Sequence, residues 1–322
     1  MLKLDKKDHK LLHELDINAR QPVSVLAKKL KTSRDVVDYR IKRLQKEEVI
    51  TGFNAFIDSS KLGYYIYRVM LKFYSISRKD YTELIEILNN NNNIFWVGET
   101  YGFVDLGIGF WFQEEEEFHE FYTKLMSRYR RYIKKDYVHR IIHNNYLDRA
   151  YILEEKQKTR LVKREEFKLG GEKKEKFDDV DLKIMKILVK DARAPIIQIA
   201  ESTDLDSATI IYRIKHLEKK KIILGYRANI DLNKIKREFY TVKVYLNDFS
   251  RKKQIVSLLK SAPFVTNLIE AIGSWDVEFD MEVKNSEEYH NFIDELKDRY
   301  EEISEIEFFR ASKTYKVIDA PI

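Results

Sequence analysis

The sequence predicts an α+β protein in which a three-helix module and a module of alternating strands and helices each occur twice. Two observations carry this prediction. The chain of 322 residues matches itself at a shift of about 173 residues, without a gap over about 60 positions. Within each matched half, apolar residues first recur at helical spacing and then alternate as they do in strands. Both modules are therefore expected in each half.

The internal repeat is clearest in short matched motifs. Ala19-Arg20-x-Pro22 in the first half matches Ala192-Arg193-x-Pro195 in the second. Farther along the chain the shift changes to about 171, and residues 118–129 match residues 289–300. Roughly a third of the aligned positions are identical, which compositional bias does not produce in a gapless register.

The module boundaries follow from the repeat and from one stretch of unusual composition. Residues 154–176 are rich in Lys and Glu, contain the pair Gly170-Gly171 and have few apolar residues, so they are predicted to form a linker. The predicted segments are a helical domain at 1–63, a strand-and-helix domain at 64–153, the linker at 154–176, a second helical domain at 177–236 and a second strand-and-helix domain at 237–322.

The composition excludes several classes of protein. Because the chain has no cysteine, it forms neither disulfides nor thiolate metal sites, and we expect no metal ion or other cofactor. Its first residues lack the apolar segment of a signal peptide, and apolar runs such as residues 106–112 are far shorter than the ~20 residues of a membrane span. A cytoplasmic protein that does not enter the membrane is predicted.

Each helical module is predicted to contain three helices joined by short turns. Residues 4–15 and 178–189 carry apolar side chains at helical spacing and form the first helix of each half. Pro22 and Pro195 are placed at the first position of the second helix, where a proline costs no hydrogen bond. This order of three helices is typical of a winged or extended helix-turn-helix domain.

The third helix is the one that can enter the major groove of DNA. Ser33 and Asp206 have side-chain oxygens that can cap it. Its first turns would face base edges, while flanking cations would face phosphates. The alternative for any single residue is a partly buried or merely solvated position. The residues predicted to contact double-stranded DNA are Ser33, Arg34, Asp35, Asp38, Tyr39, Arg40 and Lys42 in the first half and Ser207, Thr209, Tyr212, Arg213 and Lys215 in the second.

The distribution of charge favours the same interpretation. Residues 1–63 contain 14 Lys and Arg against 9 Asp and Glu, and residues 177–236 contain 12 against 9. The segment 64–153 is balanced at 12 against 12, whereas 237–322 is acidic at 12 against 17. Positive charge is thus concentrated on the helical modules and the linker, where contacts with phosphates would require it.

The first helical module carries a set of short motifs, which are Leu4-Asp5-x-x-Asp8, Asn18-Ala19-Arg20, Leu26-Ala27, Ser33 with Arg40, Arg43-Leu44 and Val49-Ile50-x-Gly52-Phe53-x-Ala55. In these motifs the chain resembles the Lrp/AsnC family of transcriptional regulators of bacteria and archaea. The second half departs from the family's pattern at Phe177, which replaces the opening leucine, and at Asp206, which replaces the capping serine. Glu48 and Lys221 stand where the family has a glycine. The resemblance extends over both halves and implies sequence-specific DNA binding that regulates transcription.

The second module of each half is predicted to be a ferredoxin-like domain. Apolar and polar residues alternate over residues 66–74 and 239–246, and a helical pattern follows each stretch. Two further strands, a second helix and a last strand complete the order βαββαβ. The predicted fold class is α+β, with two copies of a winged-helix-like helix-turn-helix domain, each followed by a ferredoxin-like domain.

The family resemblance implies that the ferredoxin-like module senses an amino acid or another small effector near a Gly-x-x-Asp hairpin. The glutamate three residues before each glycine is a candidate to receive an α-amino group. The alternative is that the glycines allow tight hairpins, the aspartates cap backbone donors and the glutamates are exposed strand residues. The candidate effector-binding residues are Glu99, Gly102 and Asp105 in the first half and Glu270, Gly273 and Asp276 in the second.

The leading functional hypothesis is a DNA-binding regulator whose two halves form a pseudo-dimer within one chain, because two modules on one polypeptide have a high effective concentration for each other. We call the third helix of each helical module its reading helix. Since the two reading helices differ in sequence, an asymmetric or imperfectly palindromic DNA site is expected, with half-sites one helical turn or a multiple apart. A larger homo-oligomer is compatible with the resemblance.

Two alternatives remain open at this stage. Siroheme decarboxylases of haem biosynthesis resemble the same arrangement of modules, but the segments at 65–68 and 239–242 lack their expected signature. His139 and His143 would lie ~13 Å apart on a strand, too far to chelate one metal ion. The other alternative is a protein-interaction module that has lost DNA binding, which the apolar Ile210 and Ile211 favour for the second half.

Overall fold

The helical modules have the predicted three helices, and each ends in a short strand. A computed structural model of the protein describes residues 4–153, 164–171 and 174–322. The first module contains α1 (Lys6–Ile17), α2 (Val23–Leu30), α3 (Arg34–Lys46) and β1 (Ile50–Ile57). The second contains α6 (Asp179–Lys190), α7 (Ile196–Thr203), α8 (Ser207–Lys219) and β7 (Ile223–Ile230).

The strand-and-helix modules both have the order βαββαβ, which confirms the predicted α+β fold. The first contains β2 (Tyr65–Phe73), α4 (Arg78–Asn89), β3 (Ile94–Gly102), β4 (Leu106–Phe112), α5 (Glu115–Tyr129) and β5 (Ile133–Leu147), followed by β6 (Glu166–Leu169). The second contains β8 (Glu238–Leu246), α9 (Lys252–Ser261), β9 (Val265–Ile272), β10 (Val277–Val283), α10 (Ser286–Arg299) and β11 (Ile303–Val317).

Local capping residues fix where the helices of the helical modules begin. Asp5 caps α1 in a capping box with Asp8, and Asp178 and Asp181 do the same for α6. Pro22 precedes the first residue of α2 instead of occupying it, so the predicted start of this helix was one residue early. None of the helices in the described ranges combines the length and the apolar character needed to cross a membrane.

The two ferredoxin-like modules share one closed antiparallel sheet. In the described residues, strands β2, β4, β3, β11, β8, β10, β9 and β5 follow one another in a ring, which the pairing of β2 with β5 closes. The halves meet at two seams, where the last strand of one half pairs with an edge strand of the other. Thr100 on β3 lies opposite Ala311 on β11 at one seam, and Asn144 on β5 lies opposite Ile269 on β9 at the other.

The helices of each ferredoxin-like module cover the outer face of this sheet. Leu84 and Leu125 on α4 and α5 are buried against the first half's strands, and Ile255 and Leu296 on α9 and α10 are buried against the second half's. The opposite face of the strands therefore points into the ring, where the two halves face each other. Side chains on that face decide what the interior can bind.

A two-stranded ribbon, which the internal repeat alone does not predict, joins the two helical modules. Strand β1 pairs antiparallel with β7, with Phe53 opposite Ala228. The contacts are reciprocal, because Arg20 donates to the carbonyl of Ala192 while Arg193 donates to that of Ala19. The two modules also share one apolar core. The reading helices are thus carried on a common support.

The described part of the predicted linker contains one strand. Residues 154–163 and 172–173 lie outside the described residues, but residues 166–169 form β6 at the edge of the sheet, beside β5. Phe167 anchors this strand, since its ring lies 5.5 Å from that of Phe56 and 4.5 Å from the guanidinium of Arg227. A single aromatic residue in a charged segment was too weak a signal to predict a strand.

Candidate nucleic-acid interface and interior cavity

The first reading helix, α3, presents a polar face to solvent. Val37, Ile41 and Leu44 are buried, which turns the intervening residues outward. The hydroxyl of Ser33 caps the helix by accepting from the backbone N–H of Val36 at 3.3 Å, as the sequence predicts. Among the predicted DNA contacts, the exposed side chains are those of Ser33, Arg34, Asp35, Asp38, Tyr39 and Lys42, with Tyr39 at 65% exposure.

The second reading helix, α8, has the same support but a different surface. Asp206 caps it and also accepts from the hydroxyl of Thr209 at 2.6 Å. Tyr212 is 69% exposed and Lys215 is exposed, whereas Ser207 and Thr209 are half-buried. The tyrosine of each reading helix is therefore a surface residue and not part of the core.

The structure gives Arg40 and Arg213 a role other than the predicted DNA contact. Arg40 donates to Asp5 at 2.8 Å and to the fully buried Asp8 at 2.6 Å, and Arg43 also pairs with Asp8. Arg213 repeats the arrangement with the capping aspartates of α6, at 2.9 and 2.8 Å. These guanidinium groups hold each reading helix to the first helix of its module, and their contact with DNA stays a prediction.

The two reading surfaces expose aliphatic groups at different positions. Ile197 on α7 is 66% exposed and Ile211 on α8 is 41% exposed, where the repeat places Ser24 and Asp38 in the first half. Conversely, the first half exposes Val25 and Val36, where the repeat places Gln198 and Thr209 in the second half. Aliphatic groups suit contact with thymine methyl groups better than contact with phosphates, so the two surfaces would read different bases.

The Gly-x-x-Asp hairpins brace the sheet. Asp105 accepts from Lys72 at 2.6 Å and from the backbone N–H of Phe73 at 2.8 Å. Asp276 accepts from the backbone N–H of Leu246 at 2.7 Å. Gly102 has a φ of +139° and lies so close to the carbonyl of Phe308 that a Cβ would approach it to 2.3 Å. Both aspartates therefore have backbone donors that account for them without a ligand.

The remaining predicted effector residues lie at the two seams and are not brought together. Glu99 accepts from the hydroxyl of Tyr315 at 2.7 Å, and the exposed Glu270 lies 3.5 Å from the amide of Asn145. Gly273 packs against the ring of His139. Amino-acid binding by these residues stays a prediction.

A large cavity lies elsewhere, between the β1–β7 ribbon and the inner face of the closed sheet. Its volume is about 730 Å³, and none of the six predicted effector residues lines it. Sequence reasoning did not find this cavity, because the inner faces of two distant strands meet only after the sheet closes. Its lining includes Phe56, Arg68, Phe95, Trp96, Trp111, Asn144, Thr241, Asp280, Arg310 and Asp319.

A buried ionic cluster lies in the ring beside this cavity. Arg68 reaches across the interior to Glu278 at 2.6 Å, and Lys243 also pairs with this carboxylate. Burial lowers the pKa of Lys243 to about 8, although Glu278 opposes the shift. The ring of His139 stacks on Trp275 with centroids 3.5 Å apart, and its Nε2 accepts from the backbone N–H of Ser274 at 2.8 Å. In the part of the chain that the structure describes, no three His, Asp or Glu side chains are grouped to hold a metal ion.

The buried His139 predicts a loss of stability in mild acid. Burial lowers its pKa to about 4, with Glu278 opposing, whereas in the unfolded chain its pKa is about 6.5. The unfolded chain alone binds this proton between pH 6.5 and pH 4. The histidine's contribution to the free energy of unfolding is therefore present above pH 6.5 and falls by on the order of 3 kcal/mol towards pH 4.

Urea unfolding of the unsubstituted protein and of His139→Gln between pH 7 and pH 4 measures this contribution, because the other titrating groups are common to both. The unsubstituted protein should lose more stability than the variant over this range. Equal pH slopes would contradict the prediction.

Comparison with known proteins identifies the domain type of both helical modules. Residues 4–45 match the AsnC-type helix-turn-helix domain, and residues 177–223 match a winged helix-turn-helix DNA-binding domain. The HTH-type transcriptional regulator FL11 of Pyrococcus horikoshii is 35% identical over 121 residues, which are 37% of this chain and 78% of that protein. The regulatory protein DoeX of Halomonas elongata is 29% identical over 123 residues, 37% of this chain and 78% of DoeX. This chain, with its paired winged helix-turn-helix modules, belongs to the Lrp/AsnC family of transcriptional regulators.

The arrangement of all four modules has a counterpart among solved structures. The siroheme decarboxylase NirDL superposes with a TM-score of 0.67, covering 98% of this chain and 94% of NirDL. NirDL in complex with an iron-uroporphyrin III analogue gives a TM-score of 0.66. The sequences are 13% and 14% identical, so this likeness extends to the fold alone.

Proposed function

We propose that this protein is a sequence-specific DNA-binding regulator of transcription whose two halves act as a pseudo-dimer. The observation that carries the proposal is the pair of capped, solvent-exposed reading helices, α3 and α8, on one shared support. Reciprocal contacts such as those of Arg20 and Arg193 favour a fixed relation between the helices. Two half-sites of DNA would then be read at a defined spacing.

The half-sites are expected to be unlike each other. On α3 the exposed Arg34 and Lys42 offer a guanidinium for guanine and an ammonium for phosphate. On α8 the matching surface carries Ile211, Tyr212 and Lys215, with an isoleucine at the position of Asp38 and fewer exposed cations than α3. An asymmetric or imperfectly palindromic operator follows from this difference.

Selection from a library of random DNA duplexes tests this proposal. The enriched sequence should contain two unlike half-sites whose centres are one helical turn, roughly 10 base pairs, or a multiple of it apart. Footprinting should place both half-sites on one face of the duplex. A perfect palindrome protected equally on both sides, or no enrichment, would count against it.

The same proposal includes a small effector that changes the protein's affinity for DNA. The Gly-x-x-Asp hairpins at Gly102 and Gly273 lie at the two seams between the halves. A ligand bound at a seam would change how the two halves pack against each other. Amino acids are the first compounds to test. If an amino acid binds, it should change the protein's affinity for DNA by a certain factor. DNA should then change the protein's affinity for that amino acid by the same factor.

A second candidate is an enzyme acting on a tetrapyrrole, for which the observation is the whole-chain fold shared with NirDL. Two features weigh against it. His139 is buried, and its Nε2 is occupied by the backbone N–H of Ser274. In the described residues, each arginine in the cavity wall already has a carboxylate partner. A tetrapyrrole absorbance band in protein purified from cells supplied with iron would favour the enzyme.

A further inference from the structure

The interior cavity is shaped by both the sheet and the DNA-binding modules. Strand β1 contributes Asn54 and Phe56 to its wall, and Asn229 at the end of β7 faces them. The inner face of the sheet supplies the rest. At about 730 Å³, the cavity is within the range of volumes that enclose drug-sized organic molecules, roughly 300–1,000 Å³. A molecule bound here would contact the ribbon that joins the two reading helices.

One wall of the cavity is lined by aromatic side chains. The rings of Phe95 and Trp111 stack with centroids 4.5 Å apart and an interplanar angle of 25°, and Trp96 extends this wall. The glycine at position 109 makes this possible, because a Cβ there would lie 2.5 Å from the ring of Phe95. Flat aromatic faces favour planar ligands and attract cations through their electron-rich surfaces.

The opposite wall carries a carboxylate without a cationic partner. The repeat matches Gly109 to Asp280, which is 8% exposed. Its oxygens accept from the hydroxyl of Thr241 at 2.7 Å and from the amide of Asn267 at 3.0 Å. Among the described residues, no Lys, Arg or His lies within 4 Å of this carboxylate in an ion pair. Burial raises the pKa of Asp280 and the positive charge of Arg68 opposes this shift, which a bound cation would oppose further.

Together with their ion-pair partners in the described structure, the charged residues of the wall are four cations (Arg68, Lys243, Arg237 and Arg310) and five carboxylates (Glu278, Glu288, Glu238, Asp280 and Asp319), which leaves one negative charge in excess. Arg68 pairs with Glu278 at 2.6 Å, and Arg237 with Glu288 at 3.3 Å. Arg310 pairs with Glu238 at 3.3 Å.

Two further groups in the wall are acceptors for a ligand donor. Asp319 accepts only from the amide of Asn54 among the described residues. The buried Asn144 also lines the cavity, and its Oδ1 has no hydrogen-bond partner in the described structure. The wall therefore offers an unneutralised carboxylate and an unused carbonyl to a ligand.

We infer that the cavity binds a planar organic cation, stacked on the Phe95–Trp111 wall with its charge directed to Asp280. Occupancy would fix the distance between the sheet and the β1–β7 ribbon, and thereby change the affinity for DNA. The binding site stands on the geometry of the cavity alone. The regulatory part rests on the proposed DNA-binding function.

Calorimetric titration with three ligands of nearly equal size tests the binding site. These are N-methylquinolinium (a cation), quinoline (neutral) and 2-naphthoate (an anion). One molecule of N-methylquinolinium should bind per chain, at least ten-fold more tightly than 2-naphthoate. Asp280→Asn should weaken this binding at least ten-fold, whereas Asp294→Asn on the exposed surface of α10 should leave it unchanged.

Several results would overturn the site. They are no saturable binding of the cation, equal or tighter binding of 2-naphthoate, and binding that Asp280→Asn does not change. If circular dichroism reports that Asp280→Asn is unfolded, Trp111→Leu decides the matter. This variant removes the aromatic face, so unchanged binding of the cation would overturn the site.

A second titration, of DNA in the presence and absence of N-methylquinolinium, tests the regulatory part. The affinity for the selected DNA site should change at least three-fold, and Asp280→Asn should abolish the change. No change, or the same change in Asp280→Asn, would overturn the coupling while leaving the binding site intact. Absence of DNA binding without ligand would instead overturn the proposed function.

Discussion

Replacing Arg149 with alanine is expected to lower the free energy of unfolding by about 3–5 kcal/mol. Arg149 follows β5 and joins the first helical module to the sheet. Its Nη1 donates to Asp16 on α1 at 2.7 Å, and its Nε donates to Glu282 on β10 at 2.9 Å. The side chains of Asp16 and Glu282 are 0% and 3% exposed. Removing the arginine would leave two buried carboxylates without their shared cation, which is far more costly than losing a surface pair.

Arg128→Ala is the matched control for this prediction. Arg128 on α5 pairs with Glu83 on α4, but their side chains are 54% and 44% exposed. An exposed pair contributes at most about 1 kcal/mol. Urea unfolding followed by circular dichroism measures both variants. A loss of less than about 1 kcal/mol for Arg149→Ala would contradict the account of how the helical module is held to the sheet.

The second large effect is expected on DNA affinity. Arg34→Ala should cost about 1–3 kcal/mol of binding free energy if the guanidinium reads a base, and should relax the sequence preference at one position. Lys42→Ala should weaken binding to all sequences and reduce the salt dependence by about one phosphate contact. Fluorescence anisotropy with the selected DNA, over a range of salt concentrations, measures both quantities.

One control variant and one variant of the second reading helix make this result specific. Lys253→Ala with Lys297→Ala removes two exposed cations from α9 and α10, away from the reading helices, and should leave affinity unchanged. Ser207→Ala with Lys215→Ala tests the second reading helix. Loss of affinity only with the first-half variants would make α8 a structural element. Equal loss with Lys253 and Lys297 would mean that total charge, and not the reading surface, governs binding.

Much of the fold could be predicted because each of its sequence patterns occurs in both halves of the chain. The caps at Ser33 and Asp206, the helices that follow them and the order βαββαβ depend on local spacing and local hydrogen bonds. The internal repeat then distinguishes such signals from chance, since the same pattern recurs with different residues. The family resemblance rests on the same helical segments and is confirmed by the comparisons.

The candidate sites were harder to predict, because they depend on contacts between distant residues. Arg40 is a cation on the reading helix, as a residue that contacts DNA would be. Only its ion pair with the buried Asp8 shows that it holds α3 to α1. Trp111 belongs to a strand of apolar residues and glycines, and Arg68 and Asp280 belong to strands that mix polar and apolar residues, so none of these strands is marked in the sequence as lining a cavity. Their meeting in one cavity follows from the closure of the sheet, for which a single strand carries no signal.

The most direct test of the central claim is binding of the purified protein to DNA from upstream of its own gene, compared with scrambled DNA of the same length and titrated in salt. The account predicts affinity for the upstream DNA at least ~10³-fold above that for the scrambled sequence. It also predicts a steep decrease of both affinities with increasing salt. Equal affinity for the two DNAs at every salt concentration would contradict the claim that α3 and α8 read a sequence.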